Sequence, residues 1–279
     1  MNEKFELLFS PFTVKSLVLK NRIIMPPMGT SFATSFGEVT PRFIRYHQER
    51  AAGGVGINLV ENSFVEAWGR LDSHMLAIYD DSHIPGLKTL VDAVHQVGGK
   101  IGIQIGHAGR RARSSIHGGR RSWAPSPIPD LGGETPYEMN QSQIDYLQEC
   151  FKKAAQRAKQ AGFDAVELHA AHGYLIHQFL SPLSNNRPDR YGGSLENRSR
   201  FALETLARIR EGVGDEFPIF CRISGDEFVE GGSSLAEAKL FAKFLEKGGA
   251  DVIDVSAGVL ESAEKTVPPW PWNTAAMWV

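Results

Sequence analysis

Residues 100–106 read Lys-Ile-Gly-Ile-Gln-Ile-Gly, and this alternation is the strongest single indication of the fold. Successive side chains of a β-strand point to opposite faces, so the three isoleucines share one face. The other face carries two glycines and Gln104. We therefore predict a strand with one apolar face and one polar face.

The same kind of segment recurs along the chain. Amphipathic helical patterns separate the candidate strands, and most of these patterns end at glycine, which favours helix termination. Strands that alternate with helices indicate a parallel sheet and an α/β fold. The predicted strands are 22–25, 55–61, 100–106, 165–169, 219–224 and 252–255, and the predicted helices are 41–52, 84–97, 141–161, 194–213 and 234–247.

The polar faces of these strands distinguish between two α/β architectures, a doubly wound sheet and a barrel. A doubly wound sheet is covered by helices on both sides and should be apolar on both faces. Here Glu167 and His169 share one face of their strand, and Arg222 lies on the corresponding face of the next. Asn58 and Asn62 are likewise predicted opposite the apolar face of the second strand. Polar side chains that point inward near the strand ends are typical of a TIM (β/α)8-type barrel, which we predict.

The length predicts an incomplete barrel. Six strands are used by residue 255, and a further βα unit with its return strand needs about 30 residues or more. The tail at 268–272, Pro-Trp-rich in sequence, is a poor strand or helix former. We predict one domain over 1–279 with about six of the eight βα units, incomplete at the C-terminus.

The composition is that of an ordinary globular protein. Of its residues, 42% are hydrophobic and 22% charged, and the net charge of −2 requires neither a nucleic acid nor a membrane as partner. Two separated cysteines, Cys150 and Cys221, exclude a disulfide framework and a cysteine-ligated cluster. Without an apolar leader or an apolar span, we expect a cytoplasmic protein, and a homo-oligomer is left open.

Two histidines and a tyrosine form the most informative group. His169 ends a predicted strand, and His172 and Tyr174 follow in the next turn, at the expected barrel mouth. Two imidazoles there could bind a metal, with Glu167 as a further ligand, or donate hydrogen bonds to a carbonyl oxygen. A metal-dependent barrel hydrolase is therefore an alternative function.

Two further features allow a structural or a functional interpretation. The first strand runs into Pro26-Pro27-Met28-Gly29, which predicts either a rigid turn or a backbone on which a flat ligand lies. Inward-facing Arg222 needs an anionic partner, either Glu167 or a cofactor that becomes anionic.

A long segment, 107–140, has no clear periodicity. It carries five arginines, which predict a solvated basic loop or, alternatively, a docking patch for an anionic substrate group. These arginines are Arg110, Arg111, Arg113, Arg120 and Arg121.

Several of these motifs together resemble the old yellow enzyme family of flavin oxidoreductases. The resemblance covers about residues 5 to 260 and is closest to the NADH:flavin oxidoreductases that include 2-enoate and 2,4-dienoyl-CoA reductases. The motifs that carry it are 19–28 (LKNRIIMPPM), 104–110 (QIGHAGR), 169–174 (HAAHGY), 191–198 (YGGSLENR) and 221–224 (CRIS).

The resemblance implies a TIM barrel that holds FMN, with NAD(P)H as reductant and a small unsaturated carbonyl compound or acyl-CoA as substrate. It places His169 and His172 on the substrate carbonyl and makes Tyr174 the proton donor. The residues that it implies for the flavin are Pro26, Pro27, Met28, Gly29, Asn62, Gln104 and Arg222.

Two departures from the family pattern bear on these expectations. Gly29 stands where several relatives carry cysteine or histidine. The predicted barrel also lacks strands seven and eight, whose loops usually hold a cofactor phosphate. An inactive barrel fragment is therefore a third interpretation, beside the flavin oxidoreductase and the hydrolase.

Overall fold

A computed structural model describes residues 5–266 of the chain. The strands in chain order are β1 (Phe12–Val14), β2 (Leu17–Leu19), β3 (Ile24–Met25), β4 (Ile57–Phe64), β5 (Ile101–Gly106), β6 (Trp123–Ala124), β7 (Tyr137–Glu138), β8 (Ala165–Ala170), β9 (Ile219–Ser224) and β10 (Val252–Ser256). Six of them form one parallel sheet in the order β10-β9-β8-β5-β4-β3, and the sheet is curled into part of a barrel, as predicted.

The helices between the strands match the five predicted ones within two residues at each end. Side chains of Thr40, Asn140, Ser194 and Ser234 cap four of them by accepting backbone hydrogen bonds. The helices are α1 (Pro41–Ala52), α2 (Ile84–Gln96), α3 (Gln141–Ala161), α4 (Leu175–Leu180), α5 (Leu195–Val213), α6 (Leu235–Lys247) and α7 (Ala263–Thr266). The short helix α4 was not expected from the sequence.

The predicted strand faces are confirmed for β5, β8 and β9. Their apolar side chains, such as Ile103, Leu168 and Cys221, join one core with the inner faces of the helices. The opposite face of β5 and β8 carries Gln104, Glu167 and His169 and is turned to the barrel interior, where these side chains are buried.

The prediction for Asn58 is wrong. Its amide points outward to α1, where Nδ2 donates to the His47 carbonyl at 2.9 Å and Oδ1 lies 3.1 Å from His47 Nδ1. A bulge in β4 separates the register pairs of Val60 and Ser63, so three steps on β4 match two on β5. Because the bulge shifts the alternation, Asn62 points inward although Asn58 does not.

An antiparallel hairpin, β1–β2, packs across the N-terminal end of the barrel. Its buried side chains Val14, Leu17 and Leu19 contact the inward-facing Ile57 and Phe220 in a separate apolar cluster. This hairpin closes the end of the barrel opposite to the predicted site, and it was not expected from the sequence.

The long segment 107–140 contains two 3₁₀ turns and the short parallel pair β6–β7. Between residues 5 and 266, no helix combines the length and the apolarity that a membrane crossing requires. The tail at 268–272 lies outside the described residues.

Candidate active site

A cavity of about 360 Å³ opens at the C-terminal ends of the parallel strands. Loops after β3, β4 and β8 supply most of the lining residues, and the strands β4, β5, β8 and β9 supply the others. The lining residues are Pro27, Met28, Gly29, Ser31, Glu61, Asn62, Leu71, Asp72, Met75, Gln104, His169, His172, Tyr174 and Arg222.

The structure brings nine of the ten predicted site residues to this one cavity, and Pro26 does not line it. Their cofactor and substrate roles stay predictions. Sequence reasoning missed five lining residues, and no periodic pattern would have indicated them because they lie on loops or in the bulge. These five are Ser31, Glu61, Leu71, Asp72 and Met75.

The rings of His169, His172 and Tyr174 form one compact group. The centroid of His169 lies 5.3 Å from that of His172 and 4.5 Å from that of Tyr174. The Arg111 guanidinium lies 4.8 Å from the Tyr174 centroid and donates to the His172 carbonyl at 2.9 Å. His172 adopts a left-handed backbone with φ of 58°, which turns its side chain toward the group.

Burial decides the protonation of this group. It lowers the pKa of His172 to about 3 and that of His169 well below its usual range, so both rings are neutral. His169 Nδ1 accepts from the Ala171 N–H at 3.4 Å, which leaves the ring proton on Nε2. Burial raises the pKa of Tyr174, so its phenol keeps its proton.

Acidification is expected to destabilise the fold in part through His172. Its folded-state pKa of about 3 lies below the ordinary 6.5, so the unfolded chain binds the proton first. The contribution of His172 is complete above about pH 6.5 and falls by up to about 1.4 kcal/mol per pH unit below it. Urea unfolding between about pH 7 and 5 measures the loss.

Two variants control this experiment. His172→Gln is expected to lose less stability than the wild type over the same range. His74→Gln replaces an exposed histidine and should follow the wild type. If the free energy of unfolding of His172→Gln falls with pH as steeply as that of the wild type, the neutral state of His172 is contradicted.

Two side chains of α4 hold the turn that carries the ring group. His177 Nδ1 accepts from the Gly173 N–H at 3.0 Å. The Gln178 amide donates to the carbonyls of Ala108 and Gly173, and its Oε1 accepts from the Arg110 N–H. Gln178 therefore joins the loop after β5 to the loop after β8.

Glu61 clamps two loops of the cavity wall. Its Oε2 accepts from the Thr30 N–H at 2.7 Å and from the Thr30 hydroxyl at 2.6 Å, and its Oε1 accepts from the Leu76 N–H at 3.3 Å. Burial raises the pKa of Glu61, and these hydrogen bonds act in the opposite direction. The bulge in β4 makes the clamp possible because it turns Glu61 and Asn62, adjacent in sequence, to the same cavity.

Removing the clamp is expected to destabilise the protein. Glu61→Ala leaves the N–H groups of Thr30 and Leu76 without their acceptor, which costs about 1–3 kcal/mol for each one that stays buried and unpaired. Glu38→Ala removes an exposed carboxylate of the loop that carries Thr30, where it accepts from the Thr34 hydroxyl at 3.0 Å, and should change stability by less than about 0.5 kcal/mol. Chemical unfolding compares the two, and equal costs would show that Glu61 clamps nothing.

Two cavity residues, Asn62 and Arg222, present buried polar atoms without a hydrogen-bond partner in the described part of the chain. Both amide atoms of Asn62 and the Nε of Arg222 are buried without a hydrogen-bond partner among residues 5–266. Gln104 donates one N–H to Glu167 Oε1 at 2.8 Å. Arg222 Nε lies 3.5 Å from Asp254 Oδ2, so the protein carboxylate that Arg222 contacts is Asp254 and not Glu167, which was one of the two partners considered from the sequence. Buried polar atoms without partners indicate a ligand that satisfies them.

The five arginines of segment 107–140 contact other groups of the protein and Arg110 is buried, which differs from the predicted solvated basic loop; the docking of an anionic substrate group stays a prediction. Arg110 and Arg111 pair with Asp130, and Arg110 also pairs with Glu261. Arg113 donates to the Gly132 carbonyl. Arg120 lies over the rings of Trp68 and Trp123, and Arg121 lies over that of Tyr137.

The alternative of a metal site gains no support from the geometry. No group of three or more histidine, cysteine or carboxylate side chains within residues 5–266 could hold a metal ion. Glu167, the proposed third ligand, is instead bound to Gln104.

Comparisons with known proteins place the chain among flavin enzymes. The model of the NADH:flavin oxidoreductase / NADH oxidase family matches residues 7–277. The chain is 47% identical over 267 residues to an NADH oxidase of Thermoanaerobacter brockii, an alignment that covers 95% of this chain and 41% of that protein. It is 46% identical over 264 residues to an NADPH dehydrogenase of Bacillus velezensis, an alignment that covers 94% of this chain and 76% of that protein.

A solved structure supports the same likeness. The old yellow enzyme homologue of Zymomonas mobilis superimposes with a TM-score of 0.81 at 29% identity, over 90% of this chain and 73% of that chain. This chain therefore spans less than half of the first relative and about three quarters of the others.

Proposed function

Because the chain belongs to the NADH:flavin oxidoreductase / NADH oxidase family, we propose that its cavity binds FMN and that the protein reduces an activated C=C bond at the expense of NAD(P)H. The predicted resemblance to flavin oxidoreductases of the old yellow enzyme type is confirmed. FMN, when bound, supplies hydride transfer. The observation that carries the proposal is the set of buried, unpartnered polar atoms in the cavity wall.

The cavity wall fits a flat ring with polar groups along one edge. Asn62 and Gln104 offer amide donors and acceptors, and Arg222 offers a positive charge to a cofactor that becomes more negative on reduction. Nothing lies within 4 Å of a Cβ built on Gly29, so a ring can lie against this backbone. Gly106 has no room for a side chain, since a Cβ there would clash with Asn62 Oδ1.

The ring group of His169, His172 and Tyr174 supports an α,β-unsaturated carbonyl compound as substrate. The Nε2–H of His169 is free to donate to a carbonyl oxygen. His172 contacts Ser256 Oγ through Nε2 at 2.7 Å, which leaves Nδ1 for the ligand. Donors held on a carbonyl oxygen stabilise the charge that develops there when hydride arrives at the β-carbon. The Tyr174 phenol supplies the proton for the α-carbon.

Titration of the purified protein with FMN tests cofactor binding. We expect saturable quenching of flavin fluorescence, and riboflavin should bind similarly if the residues of the described cavity wall hold the ring. Arg222→Met should weaken binding, whereas Arg120→Met, which lies outside the cavity, should not. Failure of both flavins to bind would refute the proposal.

Substrate class and reductant are tested in the flavin-loaded protein. Turnover of a cyclic enone with NADH or NADPH would support the small carbonyl substrate, and turnover of an enoyl-CoA would support the acyl-CoA predicted from the resemblance. Absence of both activities with flavin bound would refute alkene reduction. The single domain over 1–279, the cytoplasmic location and a homo-oligomer stay predictions.

One observation favours the alternative of an inactive barrel fragment. In the described sheet, β3 and β10 are edge strands, and Val255 on β10 is half exposed. Unpaired strand edges promote association. Light scattering with a thermal melt decides: aggregation without a cooperative transition would favour the fragment.

A further inference from the structure

Two carboxyl groups in the barrel interior have no part in the reaction proposed above. Glu167 on β8 is completely buried, and the Asp254 side chain on β10 is 27% exposed. Between them runs β9, whose Arg222 is the register partner of Asp254 and of His169. All these side chains point to the barrel interior beneath the cavity.

The oxygen atoms of the two carboxyl groups are only partly satisfied. Glu167 Oε1 accepts from Gln104 Nε2, but Glu167 Oε2 has no donor. Asp254 Oδ2 lies 3.5 Å from Arg222 Nε and makes no hydrogen bond. Asp254 is a side-chain hydrogen-bond partner of Glu167 across β9, so the two buried oxygens without donors are both satisfied if Glu167 carries a proton and donates it to Asp254.

The charges around the pair support the same conclusion. Arg222 is a single guanidinium for two carboxyl groups. The other groups that face them are neutral: Gln104 on β5, and His169 on β8, whose pKa is lowered by burial. Two ionised carboxylates would therefore leave a net negative charge in the interior, which is costly.

We propose that Glu167 is a neutral carboxylic acid near pH 7 that donates its proton to Asp254, and that this proton preserves the positive charge of Arg222 for the cofactor. Burial and the neighbouring Asp254 raise the pKa of Glu167 to about 8, in agreement with the geometry. Glu167 is a positioning residue, since it acts on the cofactor through Arg222 and Gln104. The role of Glu167 toward the cofactor rests on the proposed function, whereas its protonation does not.

Infrared spectroscopy of the flavin-free protein tests the protonation. A carboxylic acid has a C=O stretching band that carboxylates lack. We expect a band near neutral pH that is lost in Glu167→Gln and lost in the wild type as the pH rises above about 8. Glu38→Gln, which changes an exposed carboxylate, should keep it. If the spectrum of the wild type minus that of Glu167→Gln shows no carboxylic acid band near neutral pH, the proposal is overturned.

A second variant guards against a folding defect in Glu167→Gln. In Asp254→Asn, Glu167 is the remaining anion for Arg222, so it should ionise and its band should disappear. Persistence of the band in Asp254→Asn would contradict the shared proton.

The role toward the cofactor has a separate readout. The dissociation constant for FMN should rise by up to about tenfold per pH unit once Glu167 ionises. This rise should be absent in Glu167→Gln, which has no carboxyl group at this position. Identical pH dependence in the two proteins would refute this role. Absence of flavin binding at any pH would instead refute the proposed function, and the infrared band would still decide the protonation.

Discussion

Tyr174→Phe is expected to slow reduction of the C=C bond about 10²–10⁴-fold, while reduction of the bound flavin by NAD(P)H is unchanged. The change removes one oxygen and keeps the ring that lies 4.5 Å from His169. Burial raises the pKa of Tyr174, so the wild-type phenol is protonated and able to act as the acid. No such proton is needed when NAD(P)H reduces the flavin.

Stopped-flow absorbance separates the two half-reactions in flavin-loaded protein. Tyr137→Phe is the matched control, because this tyrosine is 55% exposed and lies outside the cavity. It should leave both steps unchanged. If Tyr174→Phe reduces the enone at the wild-type rate, the proton comes from another group and the assignment of Tyr174 is wrong.

Phe179→Ala is expected to lower the free energy of unfolding by about 3–5 kcal/mol. Phe179 on α4 is completely buried, stacked on Phe201 with centroids 4.2 Å apart and in edge contact with Tyr191. Truncation leaves a cavity between α4 and α5 that rigid neighbours fill poorly. The same helix carries His177 and Gln178, so loss of its anchor should also loosen the turn that bears the ring group.

Chemical unfolding measures this effect, with Phe36→Ala as control. Phe36 is 76% exposed, and its truncation should change stability by less than about 0.5 kcal/mol. Equal losses in the two variants would show that α4 is not held by its aromatic contacts. An intermediate loss for Phe179→Ala would indicate that the neighbouring rings collapse into the space.

Much of the fold was predictable because strand and helix periodicity are local properties. The apolar alternation of 101–106 and the helical patterns around 141–161 have one physical solution each, burial of the apolar face. The capping residues and glycines then place the helix ends. The hairpin β1–β2 and the helix α4 were missed, since three-residue strands and a six-residue helix are too short for a periodic pattern.

The sequence by itself determined the parallel α/β order, the inward faces of three strands and the motif carrying His169, His172 and Tyr174. The tertiary structure decided which residues share the cavity. The bulge in β4 turned Asn58 outward and brought Glu61 beside Asn62, and a bulge depends on pairing with a partner strand. The pairing of strands likewise placed Arg222 beside Asp254 and left one oxygen of Glu167 without a partner. The sequence could not predict these contacts, because the distances between β8, β9 and β10 are set only in the folded sheet.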